Sequence, residues 1–254
     1  GSWSEYGIYA GGAVTGVASA AGYARGSISN SFCDVSLLTF TNATNDSCND
    51  THEKGNYTGI TNNVSSIKAR FSGGTTIASG TINLSSTAKG QHTSTRSTLS
   101  ITNSNAEIPK GKYIIISAPN AVVTINNNIR YTSERLVNAG EIPQVVIIAR
   151  QINISGSVTQ LDAWLVADTI NTCSDVALAD PLSSAQCNQQ LVVNGPVIAD
   201  TIHLRRTHGA DGNSPGVAAE VFNLRPDAYL WATHLTTSSG RLHSTASKEL
   251  PPRF

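Results

Sequence analysis

The sequence predicts an all-β protein: a short right-handed parallel β-helix at its centre, additional antiparallel strands or hairpins on the N-terminal side, and an aromatic cap at the C-terminal end. Three observations carry that expectation. Charge is scarce while Ser, Thr, Asn and Gly are abundant, one seven-residue pattern recurs at short spacing, and the four cysteines fall into two close pairs.

With 254 residues the chain has room for one large all-β domain or two small ones. The expected division is an N-terminal Gly/Ser/Thr-rich β region over 1–105 and a coil region over 106–254. Charged residues make up 13% of the chain, about half of the ~25% usual in a globular domain. Ser, Thr, Asn and Gly fill the polar quota and favour turns and edges over helix interiors, while Val, Ile and Thr supply strands. The 17 basic and 17 acidic residues cancel. No basic stripe stands out, so nucleic acid is not an expected partner. No apolar run reaches the ~18 residues of a helical bilayer span, and no signal peptide is visible. Met is absent, and Gly1-Ser2 has the look of a tag-cleavage scar. The expectation is an excised or processed ectodomain whose membrane tether lies outside this chain.

Cys33, Cys48, Cys173 and Cys187 are spaced 15 and 14 residues apart within the two pairs. Four cysteines allow three connectivities; the local one, Cys33–Cys48 and Cys173–Cys187, closes two polar loops and adds about 3 kcal/mol each if unstrained. It implies an oxidising compartment outside the cytoplasm. Four buried thiols are the alternative. No CxxC pair or close Cys/His spacing supports a zinc site, and no metal or cofactor is expected.

Residues 3–32 read as short strands or packed arms, with Trp3, Tyr6, Tyr9 and Tyr23 set among Gly, Ala and Ser. Residues 41–63 form a polar loop carrying Asn-x-Ser/Thr triplets at Asn42, Asn49, Asn56 and Asn63, relevant to glycosylation only in a source that glycosylates them. From Ser65 to Asn103 the pattern is strand-like, through Ile67-Lys-Ala-Arg-Phe, Thr75-Thr-Ile-Ala-Ser, Thr81-Ile-Asn-Leu and Thr98-Leu-Ser-Ile, and reads as antiparallel hairpins or early coils.

The centre holds an internal repeat. Ile148-Ala-Arg-Gln-Ile-Asn-Ile, Val166-Ala-Asp-Thr-Ile-Asn-Thr and Ile198-Ala-Asp-Thr-Ile-His-Leu share one template, at offsets of 18 and then 32 residues. The second offset exceeds the first by 14, the length of the Cys173–Cys187 excursion, so that excursion is an insertion leaving a regular coil. A second echo pairs Ile152-Asn-Ile-Ser-Gly-Ser-Val with Leu191-Val-Val-Asn-Gly-Pro-Val, and degenerate copies stand at Tyr113-Ile-Ile-Ile-Ser and Val122-Val-Thr-Ile. A period this short suits one coil of a parallel β-helix, with Ile and Val stacking inward at about 4.8 Å. An antiparallel sandwich with coincidental similarity is the competing architecture. The stretch Ala219-Glu-Val-Phe-Asn-Leu-Arg-Pro-Asp-Ala-Tyr-Leu-Trp-Ala reads as a short helix or turn that caps the open end of the stack, and the tail to Phe254 as extended chain.

Several stretches together resemble one end of a family of large exported surface proteins of ultrasmall episymbiotic bacteria such as the Saccharibacteria. They are Trp3-Ser-Glu-Tyr-Gly-Ile-Tyr-Ala, Pro143-Gln-Val-Val-Ile-Ile-Ala, Leu161-Asp-Ala-Trp-Leu-Val-Ala, Val193-Asn-Gly-Pro-Val-Ile-Ala, the aromatic stretch above and Glu249-Leu-Pro-Pro-Arg-Phe. The resemblance covers the chain in patches and carries no catalytic signature. It implies a C-terminal ectodomain of a tethered or secreted protein. The coil pattern also resembles bactofilin-type polymerising β-helices, in architecture alone.

The repeat sets Arg150, Asp168 and Asp200 in one column, where carboxylates about 4.8 Å apart approach the ~5 Å spacing of a retaining glycosidase. Asp162, Asp211, His203 and His208 are further candidates for such a site. Arg150 in the same column favours instead a solvated charge ladder. Arg205 and Arg206 with His203 and His208 form the basic cluster and are the candidate ligands for a phosphate or acidic sugar. Asp211-Gly-Asn-Ser-Pro-Gly has too few acids for a calcium loop, and no nucleophile elbow, Walker loop, Rossmann fingerprint or HExxH occurs. The expected function is a non-catalytic structural or adhesive module at the cell surface, contacting a host or own envelope component, a glycan included, and able to self-associate. A carbohydrate-active β-helix enzyme and a glycan-binding module are the alternatives.

Overall fold

The computed structural model describes residues 64–104, 106–209, 218–223 and 225–237, together with the strands Ser2–Ser4, Ile8–Tyr9, Val14–Thr15 and Ile28–Ser29. The Cys33–Cys48 pair, Asn42, Asn49, Asn56, Asn63, Tyr6, Tyr23, Asp211 and the tail to Phe254 lie outside the described residues, as do the side chains of Trp3 and Tyr9.

The chain is mostly strand, and its sheets are parallel. The four N-terminal strands are β1 (Ser2–Ser4), β2 (Ile8–Tyr9), β3 (Val14–Thr15) and β4 (Ile28–Ser29). Helix α1 (Val64–Arg70) follows, then β5 (Thr75–Thr76), β6 (Thr81–Asn83), β7 (Gly90–Thr93), β8 (Thr98–Thr102) and β9 (Tyr113–Ile125). Next come β10 (Gln144–Ile154), β11 (Gln160–Asp162), β12 (Trp164–Asn171), β13 (Leu191–Asn194), β14 (Val197–His203) and β15 (Glu220–Asn223), and last the helix α2 (Pro226–Thr237). A large sheet takes the order β3-β14-β12-β10-β9-β7-β5, with β8 against β9 and β6 against β8; a small sheet takes the order β1-β15-β13-β11. From β10 to β15 the chain alternates between the two sheets, and each strand pairs with its counterpart one repeat away.

The repeat template is the register of the large sheet. Ile148 pairs with Val166, Ala149 with Ala167, Ile152 with Ile170 and Asn153 with Asn171, at the 18-residue offset. Val166 pairs with Ile198, Ala167 with Ala199 and Ile170 with Ile202, at the 32-residue offset. The second echo is not a pairing: Ile152 lies in the large sheet beside Ile170, whereas Leu191 lies in the small sheet beside Glu220.

The hairpins expected before residue 105 are corrected: Thr75 pairs with His92, Thr81 with Ser100, Gly90 with Ile114 and Thr98 with Val122, all in parallel. Period-2 alternation reports a half-buried strand and is blind to its direction. The boundary expected between 105 and 106 falls inside the large sheet. Ile67-Lys-Ala-Arg-Phe is likewise not a strand. Val64, Ile67 and Phe71 recur at helical spacing and pack on the outer face of the large sheet as α1.

Two apolar layers explain the continuous runs at 113–116 and 145–149. Ile114, Ile116, Val145, Ile147, Leu161 and Val193 fill the space between the sheets. Ile115, Val146, Ile148 and Val166 point the other way and are buried under α1 and α2, so these strands are covered on both faces, as parallel strands require. The aromatic stretch therefore does not close the end of the stack. Glu220–Asn223 is a strand of the small sheet, and α2 lays Trp231 across the side of the large one, 5.7 Å from the Tyr113 ring and 6.2 Å from Trp164. The exposed edges of β15 and β14 are taken by β1 and β3, which serves the same need to cover strand edges.

Candidate functional site

The acidic column exists, and its member Asp168 is paired with a lysine of α1. Asp168 and Asp200 occupy equivalent positions, between the pairs Ala167–Ala199 and Thr169–Thr201. Arg150 lies one repeat earlier, exposed, with Nε donating to the Asn120 carbonyl at 3.4 Å. Lys68 of α1 meets Asp168, Nζ to Oδ1 at 2.5 Å. The pair ties the helix to the sheet where the Asp168 side chain is still 43% exposed, in the range where an ion pair contributes little.

Asp162 stands elsewhere, in the small sheet, with 3% exposure. Its Oδ2 accepts the Tyr131 backbone N–H at 2.8 Å and lies 3.5 Å from Arg225 Nη1; its Oδ1 accepts Gln160 Nε2 at 3.0 Å and Asn194 Nδ2 at 2.7 Å. A buried carboxylate so fully engaged holds structure together. Asn194 continues outward, its Oδ1 accepting Asn223 Nδ2 at 2.9 Å. Asp162, Asn194 and Asn223 are register partners across β11, β13 and β15 and form a hydrogen-bonded ladder.

The basic cluster is also spent internally. The Arg205 guanidinium donates to the carbonyls of Val176, Ala177 and Asp180, at 2.7–3.1 Å, and so grips the loop closed by Cys173–Cys187. Arg206 is 7% exposed and donates to the carbonyls of Thr172, Gly156 and Ser155 at 2.7–2.8 Å. Its backbone N–H donates to Glu220 Oε1 at 2.7 Å. Burial pulls this guanidinium down to about 10, with Glu220 and then Asp175 opposing; it stays charged at neutral pH. His203 continues the Asn153–Asn171 column, and burial, then the Arg205 cation, hold its imidazole below the ordinary value.

His208 alone of that group faces a concavity. A cleft of about 650 Å³ opens on the side of the small sheet turned away from the core. Six carboxamides line it: Gln160, Asn188, Gln189, Gln190, Asn194 and Asn223. Val192, Thr159 and His208 also line it, and among the described residues none of the lining is acidic. Its floor exists because Leu161, Val193 and Phe222 turn inward to the core, which by strand alternation turns Gln160, Val192, Asn194 and Asn223 outward. The rim at 188–190 is fixed by the disulfide next to it. Reading charges alone overlooked this cleft. The available signal was the apolar–Asx dipeptide recurring as Leu161-Asp162, Val193-Asn194 and Phe222-Asn223.

Among the described residues no group of three or more His, Cys, Asp or Glu is placed to hold a metal, and no helix is long and apolar enough to cross a membrane. The chain matches no family model, and neither curated proteins nor solved structures give a match.

Proposed function

We propose that this chain is a non-catalytic structural or adhesive module of an exported envelope protein, built as a short parallel β-helix whose walls are the two sheets. The observation that carries the reading is the register of β10, β12 and β14. Identical template positions pair at offsets of 18 and 32 residues, and the added length is a disulfide-closed loop. Stacked parallel repeats give a rigid polar surface at low sequence cost, and a disulfide beside a Thr- and Asn-rich surface suits an oxidising exterior. Three of the candidate side chains, Asp162, Arg205 and Arg206, are engaged by the scaffold, which favours the same reading.

The test is saturable retention on washed cell-envelope sheets, compared with liposomes and with bovine serum albumin in place of the chain. Saturable binding to envelope alone supports the module reading. Equal recovery from liposomes, or none from envelope, sinks it.

A further inference from the structure

We infer that the cleft over β11, β13 and β15 is a binding site for an uncharged, hydroxyl-rich oligosaccharide. This deepens, and rests on, the reading of the chain as an adhesive module. The argument starts from the orientation of the amides. Gln160 and Asn194 give N–H groups to Asp162, Asn223 gives one to Asn194, and Gln190 donates from Nε2 to the Ala218 carbonyl at 2.7 Å. Each bond settles which end of the carboxamide is nitrogen. The side-chain oxygens, Oε1 of Gln160 and Gln190 and Oδ1 of Asn223, receive no hydrogen bond among the described residues, and these residues line the cleft. The site therefore offers a row of fixed acceptors on a rigid sheet.

A ligand for such a row must bring donors. A polycation brings them, but among the described residues no carboxylate lines the cleft to neutralise its charge. An acidic sugar calls for fixed cations, but Arg205 and Arg206 are committed elsewhere and His208 is the one basic side chain of the lining among the described residues. An extended peptide spends its N–H groups on a sheet edge, whereas the cleft lies on a sheet face. Sugar hydroxyls donate without charge, and the C–H face of a pyranose rests on Val192. The site is shallow and open, about 650 Å³, a shape that suits an oligomer lying along the surface rather than an enclosed small molecule. The floor is held by the Asp162 ladder and the rim by Cys173–Cys187, so little ordering accompanies binding.

The experiment is an NMR titration of the whole chain, following the side-chain amide signals of Gln160, Gln190, Asn194 and Asn223. The probes are maltohexaose, cellohexaose and chitohexaose, with oligogalacturonate as the charged control. At least one neutral oligomer should shift these signals saturably, while oligogalacturonate does not. Val192→Trp fills the floor and should weaken binding by roughly tenfold or more. Asn223→Leu, which removes an outermost acceptor, serves as the second variant should the first misfold. The inference is overturned if no neutral oligomer moves these signals, if the shifts map to another face, or if a folded Val192→Trp or Asn223→Leu binds like the parent. Envelope retention separates the two readings. Retention that survives Val192→Trp keeps the adhesive module and removes the cleft from it; a parent chain that is never retained removes the module itself.

Discussion

Arg206 Nη1 donates to the Gly156 carbonyl at 2.7 Å across 50 residues of sequence. With its bonds to Ser155 and Thr172, this one side chain joins the ends of β10, β12 and β14, three successive repeats of the large sheet. Replacing it by methionine roughly keeps the volume and leaves two buried carbonyls and one half-buried carbonyl without their donor. Arg206→Met should cost about 3 kcal/mol, read as a lower urea midpoint at unchanged slope. A cost under about 1 kcal/mol would mean that water substitutes for the guanidinium.

Gly195 sits at the corner between β13 and β14 with φ +149, and a Cβ there would run into the Ala163 carbonyl of the corner below. Two independent obstacles, backbone and contact, act at one residue. Gly195→Ala is expected to cost about 3 kcal/mol, measured by thermal or urea unfolding. Gly73, with φ +95 but open space around its Cβ position, is the comparison, and its alanine variant should lose less.

Cys173–Cys187 closes a loop of 14-residue separation, for which chain entropy predicts about 3 kcal/mol. The double variant Cys173→Ser with Cys187→Ser should show that loss. It should also become sensitive to limited proteolysis within 174–186, with the rest of the chain protected. Cleavage spread over the whole chain would show that the loop supports the sheets as well as its own conformation.

The Lys68 side chain is largely covered but its partner Asp168 is 43% exposed, so Lys68→Met is expected to change stability by less than about 1 kcal/mol, and by less still in high salt. A larger, salt-insensitive loss would mean that α1 depends on this contact rather than on Val64 and Ile67.

His203 binds its proton less readily in the folded chain than in the unfolded one. The unfolded state then carries more protons as pH falls through the ordinary histidine range near 6.5, so stability present at higher pH is lost on acidification. His203→Asn, which continues the Asn153–Asn171 column, should flatten urea midpoints between pH 7.5 and 5. A slope unchanged by the substitution would place the titration elsewhere.

What the sequence by itself determined is the periodic part of this protein. Ile148, Val166 and Ile198 must align because residues at the same template position of neighbouring parallel strands are equivalent, and the local disulfide matches the length of the insertion between the second and third copies. Periodicity also set the column of Arg150, Asp168 and Asp200. It could not say what stands opposite that column, since Lys68 arrives from 100 residues away. Strand direction in 75–102, the helix at 64–70 and the placing of Trp231 on a sheet face were decided by tertiary packing. The fate of the polar residues was decided there too: Arg205 and Arg206 look identical to an exposed basic pair until the corners they staple are assembled. Local patterning records which way a residue points relative to its neighbours, whereas desolvation and hydrogen-bond partners belong to the folded whole.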